Sequence, residues 1–325
     1  MGALNLMAPA AINTRLEGHN YLINMLHPIH SPHAVSRLRT ARLARSPKPF
    51  SARGGWLKER CAGCRLAITH CLCNLRPKVA TRAGMCLLMS DIEALKPSNT
   101  GWLIADMVAD TFAFEWTRTA VDPALLALLA DPQWQPLVVY PGEFVEAARV
   151  VQAIPGLAQP SSAVPDKRPL FILLDGTWAE AGKMFRKSPY LDDFPTLSLN
   201  PDQPSRYKLR RSKRDDLHCT SEVAALCLEL ASEPRAAQTL AAYLDVFVHH
   251  YLQAKYQSPV DLESDAHQRL RELRTLGQIV GQAGEFGRFS KEKNPPQLSG
   301  SLRVKRLDML PTANRPRTNQ MLPCL

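Results

Sequence analysis

The sequence has no run of about 18 apolar residues, the length a membrane-crossing helix needs, so no span is expected. Met1, Leu4, Leu6 and Met7 stand near the start, but no basic segment leads into a long apolar block, and no secretory signal is read there. The eight cysteines do not form the framework of a small secreted protein, because the chain has 325 residues and four of them crowd into positions 61–73. Such crowding fits a metal site in a reducing compartment better than disulfides. The aromatic-rich signature of an RRM is also missing. A cytoplasmic protein with no membrane partner is the expectation; the sequence does not address its oligomeric state.

What is present starts with a hydrophobic content of 45%, enough for one well-filled core with accessory structure, in one large or two small domains. The formal net charge is +10, and it is unevenly placed. Residues 1–60 hold nine lysines and arginines against Glu17 and Glu59, whereas residues 61–260 are near neutral, with 20 basic and 21 acidic side chains. Basic flanks favour polyanions through phosphate contacts and counterion release. Solubility alone is the plainer reading of the same charge.

Residues 1–32 show no period and read as a poorly ordered leader. Residues 33–60 form a basic arm in which Val35, Leu38 and Leu43 stand among basic residues, the pattern of an amphipathic helix or a loose arm. The cysteine motif occupies 61–80. A β/α pattern fills 81–256, with strands expected at 84–89, 111–116, 137–140, 169–174 and 195–199. Helices are expected at 98–109 with Ser98 as N-cap, then at 123–129, 177–187, 220–230 and 236–256. Residues 155–168 are a Pro/Ser-rich loop, 204–216 is polar and very basic, and 257–325 reads as a basic, largely disordered tail. Strands alternating with helices predict an α/β fold with a mostly parallel sheet. In such sheets ligands bind beyond the carboxyl ends of strands. The strongest strand, 169–174, ends at Asp175.

Cys61, Cys64, Cys71 and Cys73 form Cys-x2-Cys-x6-Cys-x-Cys. Four thiolates close a tetrahedron around a structural zinc ion, and the first pair has knuckle spacing. His70 is a possible replacement for one of them. The competing readings are reduced core cysteines or a Cys-x-x-Cys redox pair. Cys86 and Cys227 lie in apolar runs and read as core.

The stretch Leu173-Leu174-Asp175-Gly176-Thr177-Trp178 resembles the signature that names the DTW-domain family. Other segments agree in order: the cysteines before the first strand, Leu95-Lys96-Pro97-Ser98-Asn99-Thr100-Gly101 after it, Lys183-Met184-Phe185-Arg186-Lys187-Ser188-Pro189 after the signature, and Thr220-Ser221-Glu222-Val223 later. The resemblance covers residues 33–256 and makes 81–256 a DTW catalytic domain. It implies a SPOUT-like α/β fold with a knotted backbone, which patterning does not reveal. It also implies transfer of the 3-amino-3-carboxypropyl group of S-adenosylmethionine to N3 of a tRNA uridine, in the variable loop for bacterial members, leaving methylthioadenosine.

Uridine N3 is a poor nucleophile until it loses its proton, so a carboxylate base is expected. Asp175 is the first candidate; its plainer role is to cap the following helix. Glu222 is the alternative, in the first turn of a helix where the dipole also favours it. Ser98, Asn99, Thr100 and Gly101, at a helix start, are expected with Asp175, Thr177 and Trp178 to bind the cofactor. Lys183, Arg186 and Lys187, then Arg206, Lys208, Arg210, Arg211, Lys213 and Arg214, are expected to grip tRNA phosphates. The competing functions are a SPOUT-like RNA methyltransferase, a zinc-dependent RNA-binding protein without catalysis, and, more distantly, a thiol oxidoreductase.

Overall fold

A computed structural model describes residues 32–47, 59–156, 167–200, 204–209 and 218–275. The leader, the basic stretch 210–217, most of the Pro/Ser-rich loop and everything past residue 275 lie outside the described residues. Five apolar runs become strands as expected: β1 (Gly84–Met89), β2 (Thr111–Glu115), β3 (Trp134–Val139), and, beyond a two-residue β4 (Val150–Val151), β5 (Arg168–Asp175) and β6 (Thr196–Leu197). Val150–Val151 was not foreseen, because two residues carry no periodicity. The six strands form one sheet in the order β2-β1-β5-β3-β6-β4. Every pairing is parallel.

Parallel neighbours need crossovers, and helices supply most of them. α1 (Ala34–Ala44) precedes the sheet; α2 (Gly101–Met107) links β1 to β2 and α3 (Pro123–Ala130) links β2 to β3. α4 (Trp178–Arg186) follows β5, and α5 (Thr220–Leu230) and α6 (Pro234–Tyr256) close the domain. Asp122 starts α3 by accepting the Ala124 N–H at 2.9 Å, with Pro123 at the first helical position.

β5 is sandwiched. Phe171 and Leu173 join Leu87 and Met89 on one face, against Trp102, Leu240, Tyr243 and Phe247. Leu170 and Ile172 join Cys86, Leu88 and Val138 on the other, against Leu125, Leu128 and Leu129 of α3. Each fully buried side chain of this size stabilises by about 1.5–3 kcal/mol, which is why the most continuous apolar run takes the centre.

The first part of the basic arm packs on the domain, while residues 48–58 lie outside the described residues: Val35 is fully buried, Arg42 pairs with Asp91, and Arg39 donates to Leu95 O at 2.9 Å. Residues 265–275, read from sequence as tail, are helical and bury His267 and Leu270. The boundary drawn at 256 misses this piece because a single helical segment of a polar stretch shows little period.

The topology also creates a crevice. From β1 the chain moves to β2 on one side, and from the adjacent β5 it moves to β6 on the other. Chains that leave neighbouring parallel strands in opposite directions open a cleft at the strand ends. Met89 pairs with Asp175 in this register, so the segments after β1 and β5 meet there.

Candidate active site

Asp175 ends β5 with 3% of its surface exposed. Its Oδ2 accepts from the Asn99 amide at 2.8 Å and its Oδ1 from the Thr220 hydroxyl at 2.6 Å. It does not cap the next helix. Thr177 does, in a capping box with Glu180, which leaves the Asp175 carboxylate to the cleft. Burial pushes the Asp175 carboxyl up to about 7; the neighbouring Glu93 adds to this, while the bonds from Thr220 and Asn99 and the charge of Lys96 oppose it. Glu93 itself pairs with Lys96. A carboxyl held near neutrality can take or give a proton at cellular pH.

Asn99 organises the approach. Its side-chain oxygen accepts the Trp102 N–H at 3.0 Å, so its NH2 must face the carboxylates, reaching Asp175 at 2.8 Å and Glu93 at 3.3 Å. Thr100, rather than Ser98, takes the N-cap position of α2, and the Asn99 side chain just before it satisfies a free N–H of the first turn. Gly101 follows from the same crowding: a Cβ there would stand 2.6 Å from Asp175 Oδ2. Only a residue without one lets α2 approach the carboxylate this closely.

A cavity of about 490 Å³ opens above Asp175, within the range of small-molecule sites. Ser98, Asn99, Thr100, Asp175, Thr177 and Trp178 all line it, so most of the expected cofactor residues come together. Gly101 lies behind Asp175 and does not line it. Trp178 is 43% exposed at this wall, free to stack on a flat ligand. The Thr177 hydroxyl donates to Glu180 at 2.7 Å, and the Tyr207 hydroxyl donates to Ser98 O at 2.7 Å. Apolar walls come from Val139, Leu173, Leu199 and Val223.

Glu222 stands elsewhere. Its carboxylate accepts from Cys219 N at 2.7 Å, Ser205 Oγ at 2.8 Å and Arg206 N at 2.6 Å, and it does not line the cavity. It ties the 204–207 segment to the start of α5 and so holds Thr220 beside Asp175.

The four cysteines of the knuckle converge. Sγ–Sγ separations are 3.6 Å for Cys61–Cys73, 3.7 Å for Cys64–Cys71 and 3.5 Å for Cys61–Cys71, and all four lie within 4.8 Å of one another. A tetrahedral zinc–thiolate site with bonds of about 2.3 Å has edges of about 3.8 Å, so the set can hold a metal ion with little movement. A Cβ at Gly63 would meet Cys73 Sγ at 2.8 Å, which keeps that position a glycine. His70 is not a fourth ligand here: its Nε2 meets Ser258 O at 2.8 Å. A family model for the DTW domain matches residues 58–252, from just before the first cysteine to within α6. The chain belongs to the DTW-domain family. That family is the tRNA-uridine aminocarboxypropyltransferase family, and its field is tRNA modification. No solved structure matches the chain.

In this DTW domain five of the nine expected RNA contacts fall among the described residues. Lys183, Arg186 and Lys187 are exposed on and just after α4, with the Lys183 ammonium 5.7 Å from the centre of the Trp116 ring. Lys208 is exposed, whereas Arg206 pairs with Asp245. Arg210, Arg211, Lys213 and Arg214 lie outside the described residues. Among the described residues no helix is long and apolar enough to cross a membrane. Sequence reasoning missed Glu93, Lys96, Tyr207 and Thr220 as site residues. Lys96 and Thr220 stand inside the segments that carried the family resemblance, which was the available signal; Glu93 and Tyr207 had none.

Proposed function

We propose that this DTW-domain protein transfers the 3-amino-3-carboxypropyl group of S-adenosylmethionine to N3 of a tRNA uridine, in the variable loop, forming acp3U. The observation that carries this reading is a buried carboxyl poised near pH 7 at the floor of a cavity of cofactor size, at the switch point between β1 and β5. Asp175 takes the N3 proton. The nitrogen then forms its bond to the carboxypropyl carbon as that carbon's bond to the sulfonium breaks, and the electron pair stays on sulfur in neutral methylthioadenosine. Choosing this carbon over the methyl group is a matter of alignment, which the Ser98–Thr100 wall and Trp178 would impose. Asn99 and Thr220 hold the carboxylate in place. Glu222 serves as a support for Thr220 rather than as the base.

The four thiolates would hold zinc as a closed structural site that cross-links the start of the domain. Lys183, Arg186, Lys187 and Lys208, with Arg210, Arg211, Lys213 and Arg214, would meet tRNA phosphates, and a cytoplasmic setting suits both the reduced cysteines and the substrate. A SPOUT-like threaded backbone belongs to the same reading, and the parallel sheet with β5 between β1 and β3 is compatible with it.

The test incubates the full chain with unmodified bacterial tRNA and S-adenosylmethionine labelled either in the carboxypropyl chain or in the methyl group. Label from the chain alone, with methylthioadenosine released, is the expected result. Label from the methyl alone would make this a methyltransferase. Transfer from neither, with tRNA still bound, would leave a non-catalytic RNA-binding protein.

A further inference from the structure

One side chain joins the cysteine cluster to the cavity wall. Arg65 directly follows Cys64, is 2% exposed and has φ 66°. This left-handed conformation is unfavourable for a residue with a Cβ and persists only where the surroundings enforce it. Here the knuckle enforces it: Arg65 N–H donates to Cys61 O at 2.8 Å, and Cys61 N–H donates to Leu66 O at 2.8 Å. The turn points the guanidinium inward, 4.0 Å from the centre of the Trp102 ring. There it donates to Lys96 O at 2.7 Å and Asn99 O at 3.2 Å, the two ends of one loop. The planar fork of arginine suits this double grip, and a lysine ammonium does not reproduce it. The contact is reciprocal, because the Trp102 indole donates back to Gly63 O at 3.1 Å.

The gripped loop is the part of the site with most to do. Lys96, Ser98 and Asn99 line the cavity, and the Asn99 amide holds Asp175, yet Arg65 itself does not line it. We propose that Arg65 is a positioning residue through which the cysteine cluster holds the Lys96–Asn99 loop in its binding shape. Binding of S-adenosylmethionine then depends on a side chain outside the cavity. This rests on the reading that the cavity takes S-adenosylmethionine.

The test compares the full-length wild type, R65M and R65K. Methionine fills the space over Trp102 without donors, and lysine keeps one point of donation. For each, zinc content, S-adenosylmethionine affinity by calorimetry and the pH profile of transfer are measured. R65M is expected to keep its zinc and bind S-adenosylmethionine at least roughly tenfold more weakly, because small displacements of positioning groups are costly. Its rate should also rise at higher pH than that of the wild type, since Asn99 no longer steadies the Asp175 carboxylate. R65K should fall between the two. A merely structural arginine would lower the melting temperature and leave affinity and pH profile alone, and that result in R65M overturns the proposal. Loss of zinc in both variants overturns it too, by making Arg65 a part of the cluster's own stability. If R65M does not fold, R65K decides: clearly weakened binding with zinc retained supports the proposal, and wild-type binding rejects it. A wild type that fails to bind S-adenosylmethionine removes the functional reading together with this inference, whereas wild-type binding unchanged in the variants removes the inference alone.

Discussion

The Thr220 hydroxyl donates to Asp175 Oδ1 at 2.6 Å, joining the first residue of α5 to the last residue of β5. A donor stabilises the charged carboxylate, so this bond works against the burial that raises its pKa. Thr220→Val removes the donor and keeps the shape. The Asp175 pKa should then rise further, and the ascending limb of kcat/KM against pH should move upward. A hydrogen bond to a charged group is worth about 1.5–3 kcal/mol, which corresponds to a shift of about one to two pH units. A profile identical to that of the wild type would remove Asp175 from the role of base.

Asp175→Asn should abolish the base and keep the fold. Asparagine can accept from the Asn99 amide and donate to the Thr220 oxygen, so both neighbours keep a hydrogen bond to position 175. Activity should fall by about 10²–10⁴-fold, the usual worth of a positioned base. Glu222→Gln should behave differently. It weakens bonds to Cys219 N, Ser205 and Arg206 N, so the melting temperature falls, and because these bonds hold Thr220 beside Asp175 the limb of the pH profile moves upward by less than in Thr220→Val.

The same Asp175→Asn variant should be more stable than the wild type at pH 8. The folded-state pKa of Asp175 lies near 7, above its ordinary value of 3.8. Its contribution to stability is therefore fully present below pH 4 and is lost as the pH rises through 7. At pH 8 the wild type carries a buried charge with a penalty on the order of a few kcal/mol, which the amide escapes. Melting temperatures measured at pH 4 and pH 8 should diverge only at the higher value.

Gly101→Ala should damage site and fold together. The added methyl would meet Asp175 Oδ2 at 2.6 Å, and that oxygen is held by Asn99. Overpacking of this kind costs about 1–3 kcal/mol, readable as a lower urea midpoint. Retention of full stability would mean that α2 can retreat from the strand end.

Purified protein should contain one equivalent of zinc, and less than half an equivalent would reject a metal role for the cluster. Cys64→Ser should release the ion and lower the melting temperature, because the knuckle carries contacts to α2 through Gly63 and Arg65. Elemental analysis alongside thermal melts checks both.

Much of this was legible along the chain because it depends on local pattern. A six-residue apolar run, 169–174, must be buried on both sides, and the acidic residue that closes it must then lie at a strand end. Four cysteines within thirteen residues converge through their own turns. Hidden were the relations that sequence distance obscures. Glu222 read as an alternative base or as an acid favoured by the helix dipole, and sequence did not show that its carboxylate accepts three hydrogen bonds. Asp175 read equally as a cap, yet Thr177 takes that place.

The sequence by itself determined the parallel α/β class, the cysteine site and the carboxylate that closes the central strand, since each follows from periodicity or spacing within one short segment. Only the tertiary structure decided which groups act on that carboxylate. Strand β5 lies between β1 and β3, so the loop after β1 and the start of α5 meet at its end, bringing Asn99 and Thr220 to Asp175 from 76 and 45 residues away. That meeting is a product of sheet order, and burial there sets the charge of the site, which no local pattern encodes.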